Sequence, residues 1–363
     1  MSDKSPVAKK IVDLAENSVK SIDKYESPAI SLPIRTLSNV SFDEKEGLIK
    51  LGDKKQSRTF FNIGQAKKFM QTVLIASACK DLIGTGKTTS IRDLYYMTKH
   101  TIGDTKENTF DDQVESDPII EDLEVALDSL REELHLFASN RGAMVGNITV
   151  VDSGDTIDLR KMGSGGWSIP SIMEKDVVQF KNCEAKFVLM VEKDAVWRRL
   201  NEDKFWRTHN CILIHGQGMA PRGVRRLLWR LNKELKLPVY VFVDNDPWGF
   251  YIYSVIKQGS INLAYESKRM AVPDAKFIGL SSYDQEKYNL PKNVTIKLSD
   301  VDKKRIKEIK AYPWFQKKTW QDELDYMVKK GVKLELEALS KRGISFVTNT
   351  YLPEKINKKE WLE

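Results

Sequence analysis

The sequence runs to 363 residues, with 58 Lys and Arg against 51 Asp and Glu, a net charge of +7 and a pI near 9.0. That length holds two or three domains with cores of their own, and the basic excess favours an anionic partner without naming one. Three scattered cysteines, Cys79, Cys183 and Cys211, exclude a disulfide framework or a paired zinc site. No run approaches the ~18 apolar residues of a membrane span, and residues 1–5 lack the apolar core of a leader peptide, so a cytoplasmic location is expected.

Residues 8–24 carry Ile11, Val12, Leu14, Ala15 and Val19 on one helical stripe, with lysines elsewhere. Residues 29–61 alternate around the hairpin-like 43–47 and read as short strands. From residue 62 to about 140 the pattern is helical. One helix bears Phe69, Val73, Leu74, Ile75 and Ala76 and ends at the Gly84-Thr-Gly86 turn; a second runs to about Lys99, capped by Thr89 or Ser90; a third spans about 118–138, with Pro118 in its first turn. Residues 141–159 then read as strand, turn and strand, and three helices followed by a β-ribbon is the order of a winged-helix domain, a helix-turn-helix variant that binds duplex DNA. The Gly84-Thr-Gly-Lys-Thr88 stretch is no nucleotide loop, because Asp81 stands where the first glycine belongs and no apolar strand precedes it.

The second helix contains Arg92-Asp-Leu-Tyr-Tyr96. Arg92 and Tyr96, four residues apart, share a face, whereas Tyr95 points about 100° away and serves the core. A tyrosine hydroxyl attacks phosphorus when a cation or base helps it, since its ordinary pKa of about 10 leaves it protonated at neutral pH. The alternative is two half-buried tyrosines with polar tips.

Beyond residue 160, strand and helix alternate. Residues 186–191 form an apolar strand ending at Glu192, and 211–214 form the next; then comes a helix over 221–236 bearing Arg222, Arg225, Arg226 and Arg230. The strand at 239–243 runs into Asp244-Asn-Asp246, a helix follows through Ile256, and a last strand occupies 275–280. This order predicts an α/β fold with a doubly wound parallel sheet, whose sites gather at the carboxyl ends of its strands. Asp244 and Asp246 fall on one face if the strand geometry persists, and two like charges there call for a hard cation such as magnesium. Asp-Asn-Asp-Pro is equally good chemistry for an exposed turn. Downstream, 301–311 is lysine-rich, 312–315 is a break and 320–339 is helical again.

A glutamate ending one strand and an Asp-x-Asp ending a later one resembles the Toprim signature of topoisomerases, primases and some nucleases. With Arg-Asp-Leu-Tyr-Tyr ahead of it, the chain resembles the A subunits of type IIB topoisomerases, which are similar to the transesterase that makes meiotic double-strand breaks. The resemblance is firm over about residues 62–280. With the pattern along the chain, it divides the sequence into an N-terminal arm and small β segment over 1–61, a winged-helix domain over 62–160 and a Toprim domain with a helical extension over 161–363. It implies Tyr96 as the nucleophile forming a 5′-phosphotyrosine link, Arg92 as its helper, and Glu192, Asp244 and Asp246 as Mg2+ ligands. Duplex DNA would be cut by a homodimer within an A2B2 assembly, acting at the nucleoid, with ATP handled by the B subunit. Arg222, Arg225 and Arg226 are expected to hold the DNA backbone, unless they line an ordinary solvated face. A standalone break-forming transesterase or a non-catalytic DNA-binding protein is the rival reading.

Overall fold

The computed structural model describes residues 5–363; the chain start on which the leader reading rested lies outside the described residues. The chain divides into two compact units. The first gathers the chain up to Ser41, Lys50–Ser139 and Ile261–Glu266; the second gathers Phe42–Ile49, Asn140–Ser260 and Ser267–Glu363. No helix among the described residues is long and apolar enough to cross a membrane.

In the first unit, helix α1 (Pro6–Asp23) starts with proline, whose missing N–H costs nothing in a first turn. It buries Val7, Ala8 and Ile11 with Ile75, Ala76, Cys79 and Leu82 of α2 (Ile63–Thr85), so half of its stripe packs on its own chain while Val19 stays exposed. Strand β1 (Ala29–Pro33) is antiparallel to β4 (Lys55–Thr59); between them β2 (Val40–Asp43) and β3 (Leu48–Leu51) form the hairpin expected around Gly47, whose residues Phe42–Ile49 belong to the second unit. Asn62 caps α2, and Gly86, at φ +67°, ends it. Next come β5 (Thr89–Ser90), α3 (Ile91–Thr98), α4 (Gln113–Ala126) and β6 (Leu136–Phe137), which lies parallel to β5.

Helix α4 departs from expectation. It begins five residues before Pro118, because Asp112 caps it by accepting from Val114 N at 2.9 Å. It ends at Ala126, where Asp128 takes a positive φ and the buried Glu124 carboxylate accepts from Arg131 N. The expected helix over 127–138 is therefore a turn and the short strand β6.

The second unit is built on a six-stranded sheet. Its strands are β7 (Ala143–Gly146), β10 (Trp167–Ser168), β12 (Val188–Val191), β13 (Ile212–His215), β14 (Val239–Phe242) and β15 (Lys276–Gly279), in the order β10-β7-β13-β12-β14-β15. The four strands β13, β12, β14 and β15 are parallel, and β7 joins antiparallel beside β13. The strands β8 (Thr149–Asp152), β9 (Asp155–Asp158) and β11 (Val178–Lys181) make a separate small sheet. The strand, turn and strand expected over 141–159 are thus divided between the large sheet and this small one, both in the second unit. All four residues of β7 are buried, as a strand covered on both faces requires, and Gly146 lets it approach Cys211, whose carbonyl oxygen would lie 2.5 Å from an added Cβ.

Crossover segments cover both faces of this sheet: α5 (Asp194–Glu202) and α6 (Phe205–Thr208), then α7 (Arg222–Leu235), then α8 (Pro247–Lys257). Side chains alternate, so Leu189, Val191, Leu213 and Phe242 meet Trp197, Leu200 and Phe205 in one core. Phe250 and Tyr253 of α8 pack with Phe277 and Trp320 in an aromatic cluster. After α9 (Ser267–Met270) and α10 (Asp284–Lys287) come α11 (Asp300–Ala311), closed by a Ser299/Asp302 capping box, and α12 (Lys318–Lys330). The sequence pattern carries α12 on to residue 339. Gly331, left-handed at φ +69°, stops it, and the chain turns back so that Leu334 pairs with Asn245.

Candidate active site

The tyrosine helix is short and firmly capped. Ser90 Oγ accepts from Asp93 N at 3.0 Å and donates to the Asp93 carboxylate at 2.8 Å. One face of α3 buries Leu94, Tyr95 and Thr98. Tyr95 is 6 % exposed; its hydroxyl donates to Asp111 O at 3.2 Å and accepts from Lys99 Nζ at 2.8 Å. Tyr96 stands edge-on to it at 5.0 Å and is 60 % exposed. Arg92, one turn earlier, is exposed as well. The two tyrosines thus divide as helical geometry requires, one anchored in the core and the other open to a large substrate.

The carboxylates sit elsewhere, at the crossing point of the parallel sheet. The chain leaves β12 for β13 on one side and then returns to β14 on the other, so a crevice opens at the carboxyl ends of β12 and β14. Val191 lies opposite Phe242, which brings Glu192, one residue on, and Asp244, two residues on, together. Glu192 Oε2 accepts from Asp244 N at 3.0 Å. Burial, reinforced by the negative charge of Asp244, pushes the Glu192 carboxyl up to about 7. Asp244, only 6 % exposed, is raised by burial too, although Leu336 N donates to it at 2.8 Å. Asp246 caps α8, accepting from Gly249 N at 2.6 Å, and is likewise raised by burial. Gly249 is required there, since a Cβ would lie 2.3 Å from the Asp244 carbonyl oxygen.

Three carboxylates raised chiefly by burial would be stabilised in their charged form by a cation, and an all-oxygen donor set suits a hard divalent ion. The donor chemistry of Glu192, Asp244 and Asp246 therefore fits magnesium. Among the described residues, however, no three such side chains are drawn together closely enough to hold an ion as they stand. A protein cation reaches the site: Lys193 Nζ lies 2.9 Å from Asp244 Oδ2, 2.8 Å from Glu337 Oε2 and 3.4 Å from Glu335 Oε2.

Sequence reasoning missed these partners. Glu335, Leu336 and Glu337 reach the site only because α12 stops at Gly331 and the chain folds back. It also missed the buried network behind the acids, in which Asn245 Nδ2 donates to Ser282 Oγ at 3.1 Å and to Glu323 Oε1 at 3.2 Å, and Ser282 N donates to the same Glu323 oxygen. The charged Lys193 beside Glu192 is the one local sign of them in the sequence.

The arginines of α7 correct an expectation. Arg225 is 4 % exposed. Arg226 grips Glu174 with two bonds, at 2.9 and 2.7 Å, and donates to Arg269 O. Arg230 is buried against Glu234 and the carbonyls of Met173 and Val178. Arg222, the third expected DNA contact, is half-buried at the start of the helix. The face of α7 that carries Arg225 and Arg226 is directed into the protein, because the helix is a sheet-covering crossover rather than a surface element.

Three family models match in succession: type IIB DNA topoisomerase over residues 67–136, the all-beta domain in DNA topoisomerase VI alpha subunit over 140–184, and the Toprim domain of the topoisomerase 6 A subunit and Spo11 over 187–356. The second model begins where the second structural unit takes over from the helices, at Asn140. Among curated relatives, the A subunit of type 2 DNA topoisomerase 6 from Pyrococcus abyssi is 46 % identical over 98 % of this chain and 95 % of its own length. The protein of the same description from Saccharolobus shibatae is 43 % identical over 95 % of this chain and 93 % of its own, and that from Methanocaldococcus jannaschii is 36 % identical over 97 % and 95 %. With both motif-bearing units and full-length relatives in agreement, the chain belongs to the family of topoisomerase 6 A subunits, the DNA-cleaving subunits of the type IIB DNA topoisomerases.

Proposed function

We propose that Tyr96 is the nucleophile of this topoisomerase and that Glu192, Asp244 and Asp246 hold its magnesium. The observation that carries the reading is the contrast within α3: Tyr96 is open while Tyr95 is locked in the core. In the proposed reaction the Tyr96 oxygen forms a bond to phosphorus, the bond from phosphorus to the 3′ oxygen breaks, the phenolic proton passes to water and the 3′ oxygen takes one up. Arg92, on the same face, neutralises the phosphate oxygens as charge builds. The phosphotyrosine diester conserves the energy of the broken bond, so the 3′ hydroxyl reverses the step without a further cofactor. Magnesium, when bound by the three acids, supplies positive charge against the phosphate.

The helices α2 to α4 serve in this reading as a helix-turn-helix type of DNA-binding module, of the winged-helix kind. The substrate is duplex DNA in the cytoplasm, at the nucleoid. The relatives are described as A subunits, which implies a B partner, and we assign ATP to that partner, in an A2B2 assembly. A duplex break needs two tyrosines, and a twofold dimer matches the approximate dyad of DNA; Tyr96 of one protomer works with the acids of the other.

A verified heterodimer of one Tyr96→Phe chain and one Asp244→Asn chain tests this. It retains one intact composite site if catalysis is shared, and it should nick one strand of supercoiled DNA with the B subunit, ATP and magnesium, whereas both mutant homodimers are inert. No nicking would refute the shared site. Cutting by the parent without any B subunit would favour the standalone break-forming reading.

A further inference from the structure

Lys193 is the one cation within bonding distance of the candidate metal ligands among the described ion pairs. Its ammonium bridges two kinds of carboxylate. Asp244 is buried and belongs to the proposed metal site, whereas Glu335 and Glu337 are about half exposed and belong to the returning segment after Gly331. An ammonium on Asp244 and a metal ion on Asp244 compete for the same oxygens. A lysine side chain is a flexible stem with a compact charge, and here it already has a second pair of acceptors on its outer side.

We propose that Lys193 is an exchangeable counter-cation of the site: it neutralises Asp244 in the metal-free protein and moves over to Glu335 and Glu337 when a divalent cation takes Asp244. The consequence is a site whose affinity for the ion is set by a tether, with the ammonium acting as resident competitor and the two glutamates as its resting place. Asp244, the buried one of the three acids, is thereby neutralised while the site stays open to an ion, and the displaced charge travels only along one side chain. Lys193 is in these terms a positioning residue, and it need not touch the reacting phosphate. The inference rests on Asp244 being a metal ligand.

The test is Mn2+ binding to the full-length protein without DNA, followed by calorimetry or by the spin signal of the free ion. Lys193→Gln removes the competitor and should tighten binding roughly tenfold, the lower end of what a close charge pair is worth. The double variant Glu335→Gln/Glu337→Gln removes the resting place and should weaken binding several-fold. A general field effect would make these changes add, so the cycle is completed with all three substitutions together. Exchange predicts that once Lys193 is gone the two glutamate changes leave the Mn2+ affinity close to that of Lys193→Gln alone. Unchanged or weaker binding by Lys193→Gln, or strict additivity around the cycle, would overturn the exchange while leaving the metal site itself standing. Asp244→Asn is the control: if the parent protein bound Mn2+ no better than this variant, the site assignment would fail and the exchange with it.

Discussion

Replacing Glu192 with Gln should stabilise the metal-free protein, and by an amount that depends on pH. In the folded protein the Glu192 carboxyl is pushed from 4.5 to about 7 by burial and by Asp244. The folded state therefore binds more protons than the unfolded one between those values, and stability falls as pH rises through that window. At about 1.4 kcal/mol per pH unit the full cost above pH 7 is about 3 kcal/mol, and solvent screening of a partly exposed group reduces it to about 1–2 kcal/mol. Gln keeps the carbonyl that accepts from Asp244 N, so little is lost on substitution. All eight tryptophans lie in the second unit, and urea unfolding followed by tryptophan fluorescence in EDTA therefore reports on the unit that holds Glu192. Glu192→Gln should exceed the parent by about 1–2 kcal/mol at pH 8 and match it near pH 4. Magnesium at pH 8 should raise the parent more than the variant. If Glu192→Gln were no more stable than the parent at pH 8, or if its advantage were larger at pH 4 than at pH 8, the electrostatic account of the site would be wrong.

Other substitutions probe the remaining parts. Tyr95→Phe removes the hydroxyl bonded to Lys99 and Asp111, so it should cost about 1 kcal/mol of stability and leave DNA cleavage intact; an inactive but folded variant would contradict the division of roles. Asp246→Asn keeps the cap on Gly249 and should fold with normal stability, yet lose magnesium-dependent cleavage by orders of magnitude, which a metal titration of cleavage would reveal. Gly249→Ala pushes a methyl group into the Asp244 carbonyl; thermal unfolding should drop by the equivalent of about 2 kcal/mol or more, and Mn2+ affinity should fall with it. Arg226→Ala should destabilise the second unit while leaving the salt dependence of DNA binding unchanged, because its guanidinium is taken by Glu174; a shallower salt slope would restore it as a phosphate contact.

The parts of the fold that were legible in the sequence are those with a local cause. The strands β12 and β14 are continuous apolar runs, as strands covered on both faces must be, and Glu192 and Asp244 follow their ends as the pattern puts them. The facing of Tyr95 and Tyr96 follows from 3.6 residues per turn, and Ser90 caps where the pattern puts it. What escaped depends on distant partners. Ala143-Met-Val-Gly146 has no polar alternation, so its membership of the large sheet was visible in principle, but the ribbon reading tied it to the preceding helices. Pro118 suggested a helix start, yet Asp112 offered the better cap. The arginines of α7 looked like a charged surface because nothing near them in sequence announces Glu174 as a partner 52 residues away. Lys193 sat in view beside Glu192, but its role is defined by Glu335 and Glu337, which the turn at Gly331 delivers.

The central claim is that Tyr96 carries the chemistry, and identifying the residue that holds the DNA tests it most directly. Supercoiled DNA is incubated with the protein, the B subunit, ATP and magnesium, the reaction is stopped with denaturant, the DNA is digested and the tryptic peptides are sequenced by mass spectrometry. The account predicts a nucleotide attached through its 5′ phosphate to Tyr96 and to no other residue. A nucleotide on Tyr95, on another side chain, or on none while the DNA is demonstrably cut would contradict it.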